Sequence, residues 1–190
     1  MMRMTWPITP KTRNLCVFLL CFATFHLLSA QKLYIDAINA EITFEFPTKN
    51  IKGTVGGLQV WTADLDIHNL KESYVSGSVA VETIKTKNFF RDKLWQGRKL
   101  FSKKKFPRIH FKSESIVKNG DSFVVTGTLK IKETTKRVSL EFMRKDSDIV
   151  GLSSINLMDY DVSIFKKRRD NRVNITFQLP VYERTGTVGI

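Results

Sequence analysis

Cysteine is almost absent from this chain, and its two copies, Cys16 and Cys21, both fall within the first 30 residues. A disulfide framework of the kind that staples small secreted domains is thereby excluded from the body of the chain, as is a thiol nucleophile. Histidine is nearly as scarce. Past residue 30 only His68 and His110 remain, with no H-x-H or H-E-x-x-H spacing to hold a metal. Ser113 and Ser115 have no G-x-S-x-G context. Asp64 with Asp66, and Asp159 with Asp161, are spaced to share a strand face, but solvated carboxylates are the commoner use of that pattern. These lacks argue against an enzyme, a metal site and a bound cofactor. Acids are also outnumbered, 18 against 31 Lys and Arg, for a net charge of +13. Such a balance favours anionic surfaces as partners.

The longest apolar run, from Leu15 to Leu28, is short for a membrane span, which needs about 20 residues. Arg3, Lys11 and Arg13 precede it and Ser29-Ala30 follows. This is the layout of a secretory signal peptide cut after Ala30, and neither cysteine has a lipobox in front of it. The expected organisation is a signal peptide over 1–30 and one domain over 31–190, periplasmic or secreted. Cleavage removes both cysteines and three bases, leaving 31 − 3 = 28 against 18 acids, a net charge of +10. Asn174-Ile175-Thr176 is a glycosylation sequon only in a eukaryotic secretory setting, and it falls inside a predicted strand.

What is present is period-two alternation. Ile42, Phe44 and Phe46 share one face, as do Trp61, Leu65 and Ile67, then Val75, Val79 and Val81. Asn119-Gly120-Asp121 is a turn signal, after which Phe123, Val125, Gly127, Leu129 and Ile131 alternate. Val138, Leu140 and Phe142 follow, then a less regular strand over 149–162. Val173, Ile175, Phe177, Leu179 and Val181 make the last one. Asn39 is expected to mark a bulge, and Gly53, Gly56 and Gly57 a bend or a close backbone approach. Alternation fails only between Asn88 and Phe101. There Phe90, Leu94, Trp95 and Phe101 fall roughly on one side of a helix, with Arg91, Lys93, Arg98 and Lys99 on the other. Eight mostly antiparallel strands with one helix between strands 3 and 4 predict a closed barrel, because closure removes exposed edges and eight strands leave room for side chains or one slender ligand.

Several of these residues carry a family resemblance. Thr86, Asn88, Arg91, Asp92, Leu94, Leu100-Phe101, Lys105, Pro107, Ile109, Phe111 and Ser113 match a T-x-N … R-D-x-x-L … K-x-P-x-I-x-F-x-S run. Gly127, Leu129, Ile131, Lys132, Thr135, Lys136 and Val138 match a second element, with Glu133 in place of its usual glycine. A late element reads Asn156-Leu157-Met158-Asp159-Tyr160-Asp161, without the family's Arg and Gly, and the family's usual His near the first strand is absent. The sequence resembles the YceI-like family, exported bacterial proteins with a lipocalin-like barrel.

The resemblance implies a non-catalytic carrier that holds a polyisoprenoid, an isoprenoid quinone or a similar long apolar chain inside the barrel. Burying each CH₂ of such a chain is worth about 0.8 kcal/mol. The inward-facing candidates are Phe44, Leu65, Val79, Phe111, Leu129, Phe142 and Phe177, with Phe90, Leu94, Trp95 and Phe101 capping them. The same residues packed as a solid core would leave a different protein, a scaffold that holds an envelope partner on its basic surface. Two basic runs, Lys103-Lys104-Lys105 and Lys166-Lys167-Arg168-Arg169, are candidates for docking to an anionic membrane. Nucleic acid is the rival partner for such charge, and the signal peptide argues against it.

Overall fold

The structure is a computed structural model that describes residues 32–66 and 70–183; the expected signal peptide, its cleavage point, both cysteines and His68 lie outside them. Among the described residues ten strands occur in the order β1 (Lys32–Ile35), β2 (Glu41–Phe46), β3 (Ile51–Val55), β4 (Gln59–Asp66), β5 (Tyr74–Ala80), β6 (Arg108–Asn119), β7 (Ser122–Ile131), β8 (Thr134–Lys145), β9 (Asp148–Asn156) and β10 (Arg172–Glu183). Helix α1 (Phe89–Gln96) lies between β5 and β6. Every pairing is antiparallel. The sheet runs β1-β4-β5-β6-β7-β8-β9-β10-β2-β3, and β10 also pairs with β1, so the sheet curls back on itself.

The expected eight strands are ten because the first breaks in two and a further strand, β3, forms where only a connection and a glycine bend were expected. The first is interrupted by Asp36, whose carboxylate accepts from the backbone N–H of Ile38 and Asn39 at 3.1 and 3.2 Å and from the Asn39 amide at 2.7 Å. An Asx turn of this kind takes donors that a ladder would need. It splits the strand into β1, which follows the end of β10, and β2, which follows its start. β3 is followed by a corner at Gly56-Gly57, where Gly57 takes φ +63°. The Thr83 hydroxyl, which accepts from Gly56 N–H at 2.8 Å, and Arg108, which donates to the Gly57 carbonyl at 2.5 Å, pin that corner.

One face of each strand points into the curl. Phe123, Val125, Leu129 and Ile131 of β7 do so, as do Val173, Ile175, Phe177 and Leu179 of β10. Trp61 does not share the face of Leu65. A bulge between Val60 and Thr62 adds a residue to β4, turning Val60 inward and leaving Trp61 54% exposed, stacked on His110 at 5.6 Å. β5 stops at Ala80, so Val81 is buried in the short 3₁₀ turn Val81–Thr83 rather than on a strand.

Two apolar clusters divide the interior. One gathers Phe46, Val81, Ile84, Trp95, Phe101, Ile131, Leu157, Tyr160, Val162 and Val173 at the end that carries α1. The other, Ile116, Val125 and Leu140 with partly buried neighbours, lies toward the β6–β7 and β8–β9 turns.

Candidate ligand cavity

Between the clusters the interior is hollow. A cavity of about 570 Å³ runs along the curl, within the size range of small-molecule sites. Its wall is almost wholly apolar. Phe44, Val79, Ile109, Phe111, Leu129, Phe142, Ile175 and Phe177 line it and are only half-buried, although the Phe142 and Phe177 rings also meet each other at 5.8 Å.

Glycines shape this wall. Gly53 lies opposite Phe44 and Gly151 opposite Phe142, and each aromatic ring rests over its glycine. A Cβ added to Gly53 would sit 2.3 Å from both the Phe44 ring and the Lys85 carbonyl oxygen. The close approach expected at Gly53 is therefore real.

Charge in the lining is confined to one end. Lys118 at the end of β6, Asp121 in the following turn and Arg144 near the end of β8 are its exposed members. At the opposite end Phe46, Ile84, Trp95, Phe101 and Leu157 line it and are buried. The cavity thus has a wet, charged rim at the turn end and a dry floor beneath α1.

Polar chemistry holds that floor in place. Asn88 caps α1 by accepting from Arg91 N–H at 3.0 Å. Thr86, only 3% exposed, donates to Asp92 from its backbone N–H at 2.8 Å and from its hydroxyl at 2.5 Å. Arg91 donates to the Thr86 hydroxyl at 2.7 Å and to the Thr86 carbonyl at 2.8 Å. Gln96 donates to the Glu82 and Ile84 carbonyls. The inner side of α1 is therefore largely polar, with Trp95 as its apolar plug. Trp95 packs on Phe46 at 5.4 Å and on Phe44 at 6.2 Å, under the Arg91 guanidinium.

Of the residues expected to hold a ligand, Phe44, Leu65, Val79, Trp95, Phe101, Phe111, Leu129, Phe142 and Phe177 line the cavity. Phe90 and Leu94 do not: they are 83% and 61% exposed on the outer side of α1. The helix ends at Gln96, well short of the expected end at Phe101, so Phe101 reaches the floor from a separate turn. With α1 anchored through Thr86, Arg91, Asp92 and Gln96, Trp95 alone of its apolar residues faces in. The sequence offered a signal for this in the T-x-N … R-D spacing, whose polar residues are the anchor. Lys118, Asp121 and Arg144 were missed because charged residues near turns read as ordinary surface.

The basic runs divide. Lys105 pairs with Glu133 at 2.7 Å, Arg168 with Asp159 at 2.7 Å, and Lys103 donates to Gln96. Arg169 lies 3.8 Å from Asp170, whose pKa is lowered from its ordinary value chiefly by its bond from Lys49. Lys104, Lys166 and Lys167 are exposed. Asp159 and Asp161 are structural, since Asp161 accepts from the Thr134 hydroxyl at 2.7 Å. The Ser113 hydroxyl accepts from Val75 N–H. His110 stays below the ordinary histidine range through partial burial and the nearby Arg108 and Lys130. Among the described residues no group of three or more His, Cys, Asp or Glu is placed to hold a metal ion.

The sequence model of the YceI-like domain matches residues 33–181. The chain belongs to the YceI-like family. Its sequence is 32% identical over 88 residues to a UPF0312 protein of Photorhabdus laumondii, covering 45% of this chain and 46% of that protein. The chain thus spans less than half the length of this curated relative. A UPF0312 protein of Yersinia pestis is 33% identical over 76 residues, 40% of each chain. The crystal structure of Burkholderia cenocepacia BcnA superposes with TM-score 0.69 at 18% identity, covering 78% of this chain and 99% of that one. A Campylobacter jejuni YceI protein gives TM-score 0.61 at 19% identity, covering 72% and 86%. At these identities the two solved structures establish the fold alone.

This YceI-like protein accommodates its departures from the family pattern locally. Asp161, in the place of the family glycine, takes φ 55°, a left-handed conformation that aspartate tolerates better than most residues. In the β7–β8 turn Lys132, not Glu133, takes the positive φ of 56°.

Proposed function

We propose that this YceI-like protein is an exported, non-catalytic carrier that holds a polyisoprenoid, an isoprenoid quinone or a similar long apolar chain within its curled sheet, for transport or storage in the cell envelope. The observation that carries this is the half-buried apolar wall around a cavity of about 570 Å³. Water gains little from such a wall, while an apolar chain placed there gains about 0.8 kcal/mol per CH₂. A ligand with one polar end lies with that end at the Lys118–Asp121–Arg144 rim and its tail on the Trp95–Phe101 floor. Membership of the YceI-like family supports the same class of cargo. The N-terminal leader pattern supports periplasmic or secreted placement. Exposed Lys104, Lys166 and Lys167 are the parts of the two basic runs available to an anionic membrane, and nucleic acid has no part in this function.

The test is uptake. Delipidated protein is titrated with a long-chain prenyl alcohol and uptake is read by native mass spectrometry, with Leu129→Trp, which fills the cavity wall, as the comparison after its folding is checked by circular dichroism. Saturable binding that weakens in the folded variant is expected. Absence of uptake of prenyl alcohols and quinones alike overturns the carrier.

A further inference from the structure

The outward side of α1 is a second surface, distinct from the cavity. Phe89, Phe90 and Leu94 are 68%, 83% and 61% exposed. They form one patch, because Phe90 and Leu94 are four residues apart on the helix and the Phe89 and Phe90 rings touch edge to face at 5.9 Å. Three large apolar side chains together at a helix surface are costly to hold in water. Their exposure follows from the anchoring of α1, whose inner side is already committed to Thr86, Asp92 and Gln96.

The charge around this patch is of one sign. Residues 85–105 carry nine Lys and Arg and a single acid, Asp92, whose carboxylate is turned onto Thr86. Lys87, Lys93, Arg98, Lys99 and Lys104 are exposed around the apolar residues. The Lys93 ammonium lies over the Phe89 ring, 5.3 Å from its centroid. An apolar tip with cations at its border matches the boundary between acyl chains and anionic headgroups, where long basic side chains reach up to phosphate as their stems stay buried.

We propose that α1 is a membrane wedge: Phe89, Phe90 and Leu94 enter the interface of an anionic bilayer, and Lys87, Lys93, Arg98 and Lys99 bind its headgroups. This goes beyond the carrier reading and does not depend on what the cavity holds. Seated in this way, the protein keeps its Lys118–Asp121–Arg144 rim at the end of the sheet remote from α1.

The test uses the purified protein, in the form its cell produces, with vesicles of phosphatidylcholine alone or mixed with phosphatidylglycerol. Flotation is compared for wild type, for Phe89→Ala/Phe90→Ala/Leu94→Ala, and for Lys93→Gln/Arg98→Gln/Lys99→Gln. Wild type is expected to bind the anionic vesicles in a salt-sensitive manner, and each triple variant to lose affinity about tenfold or more. Phe90→Trp is expected to shift its emission to the blue on those vesicles only. Cavity loading by prenyl alcohol is expected to be unchanged in the alanine variant, which keeps failure of the wedge separate from failure of the carrier. Equal flotation of wild type and the alanine variant, or an unshifted Phe90→Trp in bound protein, overturns the wedge. A wild-type dimer that the alanine variant converts to monomer also overturns it, by making this face a contact between copies.

Discussion

Asp92→Ala tests whether the floor of the cavity hangs on a polar anchor. The Asp92 carboxylate accepts two hydrogen bonds from the buried Thr86, at 2.8 and 2.5 Å. Hydrogen bonds to a charged group contribute about 1.5–3 kcal/mol each, and the lower figure applies because Asp92 is partly solvated. Removing the carboxylate loses both and leaves the Thr86 N–H without its acceptor, a loss of ~3 kcal/mol. That is a large share of the roughly 5–15 kcal/mol by which domains are stable. Asp92→Asn keeps an acceptor oxygen in the same place and forfeits only the charge, so it costs ~1 kcal/mol. Urea unfolding reads both. With a slope of about 2 kcal/mol/M, the alanine variant moves the midpoint down by ~1.5 M and the asparagine variant by ~0.5 M. Trp95 emission should lose its native signature earlier in the alanine variant. An alanine variant within ~0.5 kcal/mol of wild type would refute the reasoning and leave α1 held by the packing of Trp95 instead.

Three further predictions follow from the wall and its closed end. In Gly127→Ala the new Cβ meets the backbone of β6, at 2.3 Å from the Lys112 oxygen and 2.7 Å from Ser113 Cα, whereas in Gly151→Ala it meets the Phe142 ring at 2.2 Å. Backbone cannot yield as a ring can, so thermal denaturation should show Gly127→Ala as the worse by ~1 kcal/mol or more, while Gly151→Ala pushes Phe142 into the cavity and lowers prenyl alcohol uptake. Asn171 is fully buried and accepts from Ile164 and Phe165 N–H while donating to the Phe165 and Lys167 carbonyls, so Asn171→Leu strands these groups and should cost ~3 kcal/mol in chemical denaturation. Burial, with Asp159 adding to it, pushes the Tyr160 phenol up to about 12. The unfolded chain then ionises near pH 10 and the folded one does not, so stability falls between pH 10 and about 12. Tyr160→Phe should remove that part of the alkaline loss, read as a smaller drop in melting temperature over this window than wild type shows.

Alternation made the wall legible. Phe44, Phe111, Leu129, Phe142 and Phe177 line the cavity because period-two placement on an antiparallel strand leaves them no other side. The same rule failed wherever one residue was added or a side chain intervened. The β4 bulge turned Trp61 outward, and the Asp36 turn split β1 from β2, since neither event changes the apolar pattern until after it has happened. Around α1 the apolar spacing pointed the wrong way. Thr86, Arg91, Asp92 and Gln96 satisfy one another and the backbone, and this network, not the apolar stripe, decided which side of the helix faces in. The hollow was not legible at all, because a half-buried Phe in a cavity wall and a packed Phe in a core have the same sequence.

Above all, a carrier must hold a lipid in its hollow. Native mass spectrometry of protein purified from its own host's envelope, followed by organic extraction, reads this directly. One long-chain isoprenoid per protein is expected, retained by Phe89→Ala/Phe90→Ala/Leu94→Ala and depleted in a folded Leu129→Trp. Protein that emerges empty, and that refuses both quinones and prenyl alcohols when they are offered, would contradict it.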